Sequence, residues 1–328
     1  TFKHKTNCDT NVYMFYYRET GILDMHPHYI KLCQVFGTPT DVAINREMSD
    51  IREILKKQTL RKVYQEMESG SRREGFRLKG SDMDTMVWPE NHRVIWNKSM
   101  SKRYTDDCIL LLGDSNESPP GFTLLEVLTK TDKTFEIPKT ILNGKIYIPS
   151  LKFKRDAHLI DLPKSVVHGP CDRFVRAGVE TDVVTCFACD FWPQSASSWI
   201  KRDSLHWPKQ EIIDDVVRNG CHVVPIGNPL SPYRDTEWRI SFSLAEYKIV
   251  KSMNHPQFLA YGLLKIFLKE VINRQSDESK ILLCSYYMKT AIFWTIQQNP
   301  KFKWSPHNLL DGFWMCFKPV SYTHLTLP

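Results

Sequence analysis

The stretch that decides the fold runs from residue 69 to residue 84 and reads Ser69-Gly70-Ser71-Arg72-Arg73-Glu74-Gly75-Phe76-Arg77-Leu78-Lys79-Gly80-Ser81-Asp82-Met83-Asp84. A Gly-Ser turn exposes backbone N–H groups and a hydroxyl, which suits the binding of a triphosphate. Asp82 and Asp84 stand at positions i and i+2 of a predicted strand, so their side chains leave the same face. Two carboxylates held that close repel each other unless cations lie between them, and Mg²⁺ is such a cation. The stretch therefore predicts a site for a metal ion and a triphosphate.

A two-metal site needs a third carboxylate. Asp182 is the best candidate, because it opens the β-branched run Asp182-Val183-Val184-Thr185 and is suited to a strand edge beside the pair. The alternative is that Asp182 caps a turn together with Glu180, and spacing alone does not decide between the two. An Asp-x-Asp pair by itself is more often a solvated turn than a metal site, so the upstream Gly-Ser turn is what favours the metal site.

The composition is that of a globular protein with a sizeable core. The chain has 328 residues, of which 42% are hydrophobic and 25% are charged, and this length favours two lobes. The formal charge of +7 permits nucleotide or nucleic-acid binding without establishing it. No apolar run reaches the roughly 18–20 residues of a membrane span, so we expect no membrane partner. Nine scattered cysteines indicate a reduced, cytoplasmic protein.

The patterning predicts an α+β lobe followed by a helical lobe. Apolar residues at helical spacing predict a long spine helix from Thr40 to about Glu68, which Gly70 ends. Short β-rich runs from 77 to 190 predict a mixed β-sheet against this helix, and helical spacing returns from about 240. We predict a core domain at 1–235, a truncated C-terminal helical lobe at 236–320, and a non-native tail at 321–328. The tail is expected because Ser321-Tyr322-Thr323-His324-Leu325-Thr326-Leu327-Pro328 resembles translated vector sequence.

Basic residues cluster just before the Gly-Ser turn. They are Lys56, Lys57, Arg61 and Lys62. Plotted at helical spacing, the basic residues of this region spread around the outer surface and do not form one stripe. A solvated face and a nucleic-acid-binding face therefore remain alternatives.

The ordered motifs resemble those of a known family. Gly70-Ser71 with Asp82-x-Asp84 resembles the signature of the polymerase-β-type nucleotidyltransferase superfamily. Three later segments resemble parts of cyclic GMP–AMP synthase and its relatives. These segments are Asp182-Val183-Val184-Thr185-Cys186, Thr236-Glu237-Trp238-Arg239-Ile240-Ser241-Phe242-Ser243 and Cys284-Ser285-Tyr286-Tyr287-Met288-Lys289-Thr290-Ala291. The match runs from about 40 to 318 and is similar to the cGAS-like receptors of the Mab (male abnormal) family, in particular the invertebrate forms.

The resemblance implies a role for each matching residue. The implied ligands of two Mg²⁺ or Mn²⁺ ions are Asp82, Asp84 and Asp182, and the implied nucleotide-binding residues are Gly70, Ser71, Arg239, Lys265, Ser285 and Tyr286. For three of these a structural role is the alternative: Arg239 as an ion-pair residue, Lys265 as a solvated helix position and Tyr286 as a core aromatic.

The resemblance also implies an activity. It implies a polymerase-β-like nucleotidyltransferase that joins ATP and GTP into a cyclic dinucleotide, which a STING-type receptor reads in innate immunity. The vertebrate DNA sensor carries a His/Cys zinc insertion, whereas Tyr247–Gln257 holds one His and no Cys, so we expect no structural zinc. Double-stranded RNA, or another ligand, then becomes a better hypothesis for the activator than DNA. The alternatives are a non-catalytic Mab-type adaptor that binds a nucleotide or a protein, and a polymerase that extends an RNA end.

Overall fold

The computed structural model describes residues 27–59, 64–78, 80–129, 137–156, 165–176, 178–202, 207–273 and 284–325. The chain divides into two compact units. One is Thr40–Ser252, and the other combines Thr1–Pro39 with Met253–Pro328. The first unit holds the sheets and the second, where it is described, is helical. The predicted α+β fold, with a mixed sheet, a long helix and a C-terminal helical lobe, is confirmed.

The spine helix is shorter than the sequence predicts. Helix α1 is Pro27–Phe36, and the spine helix α2 is Pro39–Thr59, whereas Tyr64–Ser69 forms strand β1. The prediction of helix to Glu68 is wrong, because this segment pairs antiparallel with β2 (Met83–Pro89) along its whole length. Interstrand hydrogen bonds in a sheet outweigh weak local helix propensity. The Gly-Ser turn therefore follows a strand, and Gly70–Glu74 forms the short helix α3.

The first sheet places the acidic residues. Besides β1 and β2, this sheet contains β8 (Val166–His168), β9 (Cys171–Arg176) and β10 (Val179–Thr185). In the part of the chain that the structure describes, the strand order is β1-β2-β10-β9-β8. Strands β2 and β10 run parallel, and the other neighbours are antiparallel. Strand β10, which is distant in the chain, thus lies directly beside β2, the strand that carries Asp84.

The second sheet holds the main core. Its strands are β3 (His92–Ile95), β4 (Ile109–Asp114), β5 (Phe122–Val127), β6 (Thr140–Leu142), β7 (Lys145–Tyr147), β11 (Phe187–Cys189), β12 (Cys221–Val224) and β13 (Trp238–Ser241). Strand β13 pairs with both β12 and β5, so the sheet closes on itself within the described residues. Phe187 and Trp238 are fully buried in its core, and the Trp238 indole N–H donates to the Ile148 carbonyl at 2.8 Å.

Helices cover the first unit. Besides α2 and α3, they are α4 (Ser150–Asp156), α5 (Ser197–Ile200), α6 (Gln210–Arg218) and α7 (Ser243–Lys251), with 3₁₀ turns at Lys98–Arg103 and Gln194–Ala196. Helix α7 packs on α3 and α6. Strand β13 and helix α7 therefore belong to the compact unit Thr40–Ser252. The domain boundary between residues 235 and 236 stays a prediction.

The second unit is built from helices. They are α1, α8 (His255–Phe267) with a π turn at Leu268–Ile272, α9 (Ser285–Gln298) and α10 (Leu309–Leu325). A capping box starts α8, in which the Asn254 side chain accepts from the Gln257 N–H and the Gln257 side chain accepts from the Asn254 N–H. Of the predicted tail, residues 321–325 continue α10 and residues 326–328 lie outside the described residues. Among the described helices, none has the length and apolarity that crossing a membrane requires.

Two buried histidines lie in the second sheet. His92 of β3 is 1% exposed and His222 of β12 is 4% exposed. The His92 Nε2 and His222 Nδ1 atoms have no hydrogen-bond partner among the described residues. Burial, together with a smaller effect of the positive charge of Arg93, lowers the pKa of each ring to about 4. An unfolded histidine has a pKa near 6.5, so the unfolded chain binds more protons than the folded chain between these values.

We therefore expect acid to destabilise the fold. The free energy of unfolding should fall as the pH drops from about 6.5 to about 4, with a loss between pH 7 and pH 5 of about 2 kcal/mol per histidine. Urea unfolding at pH 7 and pH 5 measures this loss. Replacing His222 with Leu should shrink the difference, and replacing the exposed His307 with Gln should leave it unchanged. Equal pH dependence in the parent and in His222→Leu would contradict the prediction.

Candidate active site

Three aspartates meet where β2 and β10 run side by side. Asp84 lies in β2, Asp82 directly precedes that strand, and Asp182 lies in β10 opposite Asp84. One carboxylate oxygen from each residue lies within 4.8 Å of the other two. Asp182 is buried, and the other two are partly buried. Asp182 thus stands inside a strand beside the pair, and the alternative of a turn cap with Glu180 does not hold.

Gly70 lies next to Asp84. It begins α3 with a φ of +67°, a conformation that L side chains rarely adopt. A Cβ atom on Gly70 would lie 1.8 Å from the Asp84 Oδ2 atom. Ser69, the residue before it, pairs with Asp84 across β1 and β2. Glycine is therefore required here both for the backbone angle and for the close approach to the carboxylate.

The helix that follows Gly70 is anchored to its surroundings. Arg73 is 6% exposed and forms an ion pair with Asp50 of α2 at 2.5 Å. Its guanidinium also lies 4.3 Å from the ring centroid of Tyr247 in α7, a cation–π contact. The Arg46 Nε of α2 donates to the Glu74 carbonyl at 2.8 Å. These contacts hold the turn in a defined position beside the aspartates.

Sequence reasoning missed Arg173. This residue lies in β9 opposite Asp182, and its Nε and Nη2 atoms donate to the two carboxylate oxygens at 2.7 and 2.8 Å. The ion pair raises the pKa of the Arg173 guanidinium above its usual range. The sequence held a signal in Gly178, which directly precedes β10 with a φ of +77°, and Val179 pairs with Arg176. That register alone places Arg173 opposite Asp182.

Cys171 of β9 lies within electrostatic reach of Asp182, Asp84 and two further cations. Burial, and to a smaller extent the carboxylates of Asp182 and Asp84, raise the pKa of the Cys171 thiol in β9 to about 12. The positive charges of Lys154 in α4 and Arg239 in β13 lower the pKa of the same thiol. Arg239, which the sequence analysis singled out, is exposed.

The other nucleotide-binding candidates belong to the second compact unit. Lys265 lies in α8, with its Nζ 5.2 Å from the Tyr261 ring centroid. Ser285 and Tyr286 begin α9 and are exposed. Because Tyr286 is 55% exposed, it is not the core aromatic residue of the alternative interpretation. The nucleotide-binding roles of these residues stay predictions, as do those of Gly70, Ser71 and Arg239.

The predicted nucleic-acid residues are described only in part. Lys56 forms an ion pair with Glu66 of β1. Arg61 and Lys62, and the side chain of Lys57, lie outside the described residues. Large apolar side chains are exposed on α2, namely Ile44, Met48, Ile51, Ile54 and Leu55. Nucleic-acid binding by this helix stays a prediction.

The aspartates fit a divalent cation. Mg²⁺ prefers oxygen ligands, and each of the three residues offers a carboxylate oxygen at the same point. Gly70 keeps the space beside Asp84 free of a side chain. Asp82, Asp84 and Asp182 are the residues that would hold the ion.

Comparison with known protein families identifies two consecutive domains. Residues 123–252 match the Mab-21 protein nucleotidyltransferase domain, and residues 259–321 match the Mab-21 protein HhH/H2TH-like domain. The first range includes Asp182 and Arg239, whereas Asp82 and Asp84 precede it. A nucleotidyltransferase domain implies nucleotide substrates and transferase activity. The chain thus carries a Mab-21 nucleotidyltransferase domain followed by a Mab-21 HhH/H2TH-like domain.

Proposed function

We propose that this chain is a cGAS-like nucleotidyltransferase of the invertebrate type, which joins ATP and GTP into a cyclic dinucleotide. The observation that carries the proposal is the meeting of Asp82, Asp84 and Asp182, whose carboxylate oxygens lie within 4.8 Å of one another. The contact of Gly70 with Asp84 supports it, because it sets the predicted triphosphate turn against the same carboxylates.

The three aspartates supply the negative charge that would hold the divalent cations. When bound to them, Mg²⁺ would neutralise phosphate charge and lower the pKa of the attacking ribose hydroxyl. In each of two successive steps, a ribose oxygen of one nucleotide forms a bond to the α-phosphorus of the other. The bond from that phosphorus to the leaving pyrophosphate breaks, and the hydroxyl proton passes to solvent. The second step closes the ring.

The remaining candidates bind and orient the nucleotides. Gly70 and Ser71 would cradle the triphosphate with backbone N–H groups and a hydroxyl. Arg239 and Lys265 would contact phosphate or base, and their fixed positive charge suits that partner. Ser285 and Tyr286 would bind phosphate and stack on a base, for which the exposed ring of Tyr286 is suited.

Activation and signalling complete the proposal. Double-stranded RNA would bind across α2 through Lys56, Lys57, Arg61 and Lys62 and order the Gly-Ser turn. A STING-type receptor would then read the product. If purified protein makes the same amount of product with and without long double-stranded RNA, the activation hypothesis fails.

One observation favours a second candidate function. Arg173 engages both oxygens of Asp182, as expected for a carboxylate with a structural role. A non-catalytic Mab-type adaptor that binds a nucleotide or a protein would retain such an ion pair. A polymerase that extends an RNA end is the third possibility, and it uses the same three acids.

Product analysis separates these functions. We expect purified protein with labelled ATP, GTP, Mg²⁺ and double-stranded RNA to yield a discrete cyclic product and pyrophosphate on thin-layer separation. Chelation with EDTA should abolish the product, and excess Mg²⁺ should restore it, because the aspartates need a cation between them. A ladder of extended RNA would instead indicate the polymerase, and unchanged triphosphates under every condition would indicate the adaptor.

A further inference from the structure

The charge at the aspartate cluster is partly neutralised within the protein. Three carboxylates meet at β2 and β10, and the Arg173 guanidinium lies against one of them. Its two bonds to Asp182 have the fork geometry that arginine forms with a carboxylate. The same Asp182 oxygens are the atoms that a divalent cation needs. Arg173 and a cation therefore compete for one carboxylate.

Arg173 has room to leave this position. Its side chain is 32% exposed, whereas that of Asp182 is 7% exposed. The carboxylate is thus held in the protein, and the guanidinium approaches it from the solvent side. A second polar neighbour, the Nδ1 atom of His168 in β8, lies 3.3 Å from Nη2 on the exposed side. Moving the arginine breaks one partly buried ion pair, and no core packing needs to change.

We propose that Arg173 is a positioning residue that forms an ion pair with the Asp182 carboxylate in the metal-free protein. This ion pair must break before the three aspartates bind a divalent cation. This inference rests on the proposed metal-binding role of the aspartates. Its physical basis is the repulsion between the guanidinium and a doubly charged cation only a few ångströms away, in a partly buried site. Arg173 thereby keeps the affinity of the nucleotide-free protein for the cation low.

Direct titration of the nucleotide-free full chain with Mn²⁺ tests the inference. Free Mn²⁺ is measured by electron paramagnetic resonance, so turnover is not needed. Arg173→Gln should bind Mn²⁺ about tenfold more tightly than the parent, because one positive charge beside the cation is removed. Arg173→Lys keeps the charge and should bind close to the parent affinity. Arg93→Gln removes an ion pair between β3 and Asp190, the residue after β11, and should leave the affinity for Mn²⁺ unchanged.

The result that overturns the inference is equal or weaker Mn²⁺ binding in Arg173→Gln, with an unfolding midpoint close to that of the parent. Equally tight binding in the Gln and Lys variants would also overturn it, since the charge would then not matter. Should Arg173→Gln fail to fold, Arg173→Met, which keeps the aliphatic stem, is titrated in its place and judged by the same outcomes.

These outcomes are separable from failure of the proposed function. Tighter Mn²⁺ binding in Arg173→Gln without any cyclic product from the parent would sustain the inference and refute the synthase. Absence of Mn²⁺ binding in the parent and in every variant would refute both.

Discussion

Replacing Asp82 and Asp84 together with Asn is expected to lower the formation of cyclic product by about a thousandfold or more, to the limit of detection. Two of the three charged oxygen ligands become neutral amides, so the cluster loses most of its attraction for Mg²⁺. The fold should persist, because both side chains are partly exposed and β2 is held by backbone pairing with β1 and β10. Product formation and the thermal unfolding midpoint are measured on the same preparation.

A matched control distinguishes the cluster from a general charge effect. Asp106 and Asp107 are two exposed aspartates on the same compact unit. Their double replacement with Asn removes the same charge and should leave product formation unchanged. Turnover by the Asp82→Asn, Asp84→Asn protein within tenfold of the parent rate would refute the assignment of the site.

The second large effect is expected from Gly70→Ala. The new Cβ would lie 1.8 Å from the Asp84 Oδ2 atom, so either the carboxylate or the start of α3 must shift. A misplacement of about 1 Å at a reacting site costs about a hundredfold in rate, and we expect at least that loss. The left-handed backbone adds about 1–2 kcal/mol of destabilisation. Product formation and urea unfolding measure the two effects separately.

Gly144→Ala isolates the backbone contribution. Gly144 has a φ of +76°, close to that of Gly70, but an added Cβ there meets nothing within 4 Å. We expect this variant to lose about 1–2 kcal/mol of stability and to retain the parent turnover. If Gly70→Ala behaves like Gly144→Ala in both measurements, the contact with Asp84 is not functionally important.

Local patterns predicted the features that depend on neighbouring residues. The spacing of Asp82 and Asp84 predicted their common face, and the helical periodicities after residue 240 predicted α7, α8 and α9. The prediction of helix for residues 64–68 was wrong for a related reason. A short segment next to a helix carries no information about a strand partner fifteen or more residues away. Pairing with β2 decides its conformation.

By itself, the sequence determined the fold class, the Gly-Ser turn and the pair of carboxylates on one face, because each follows from spacing along a single segment. Only the tertiary structure decided that β10 lies parallel to β2, which brings Asp182 to Asp84, and that Arg173 engages Asp182 from β9. Which strands become neighbours depends on how the whole sheet is buried. That burial depends on contacts between residues far apart in the chain, and spacing within one segment carries no information about those contacts.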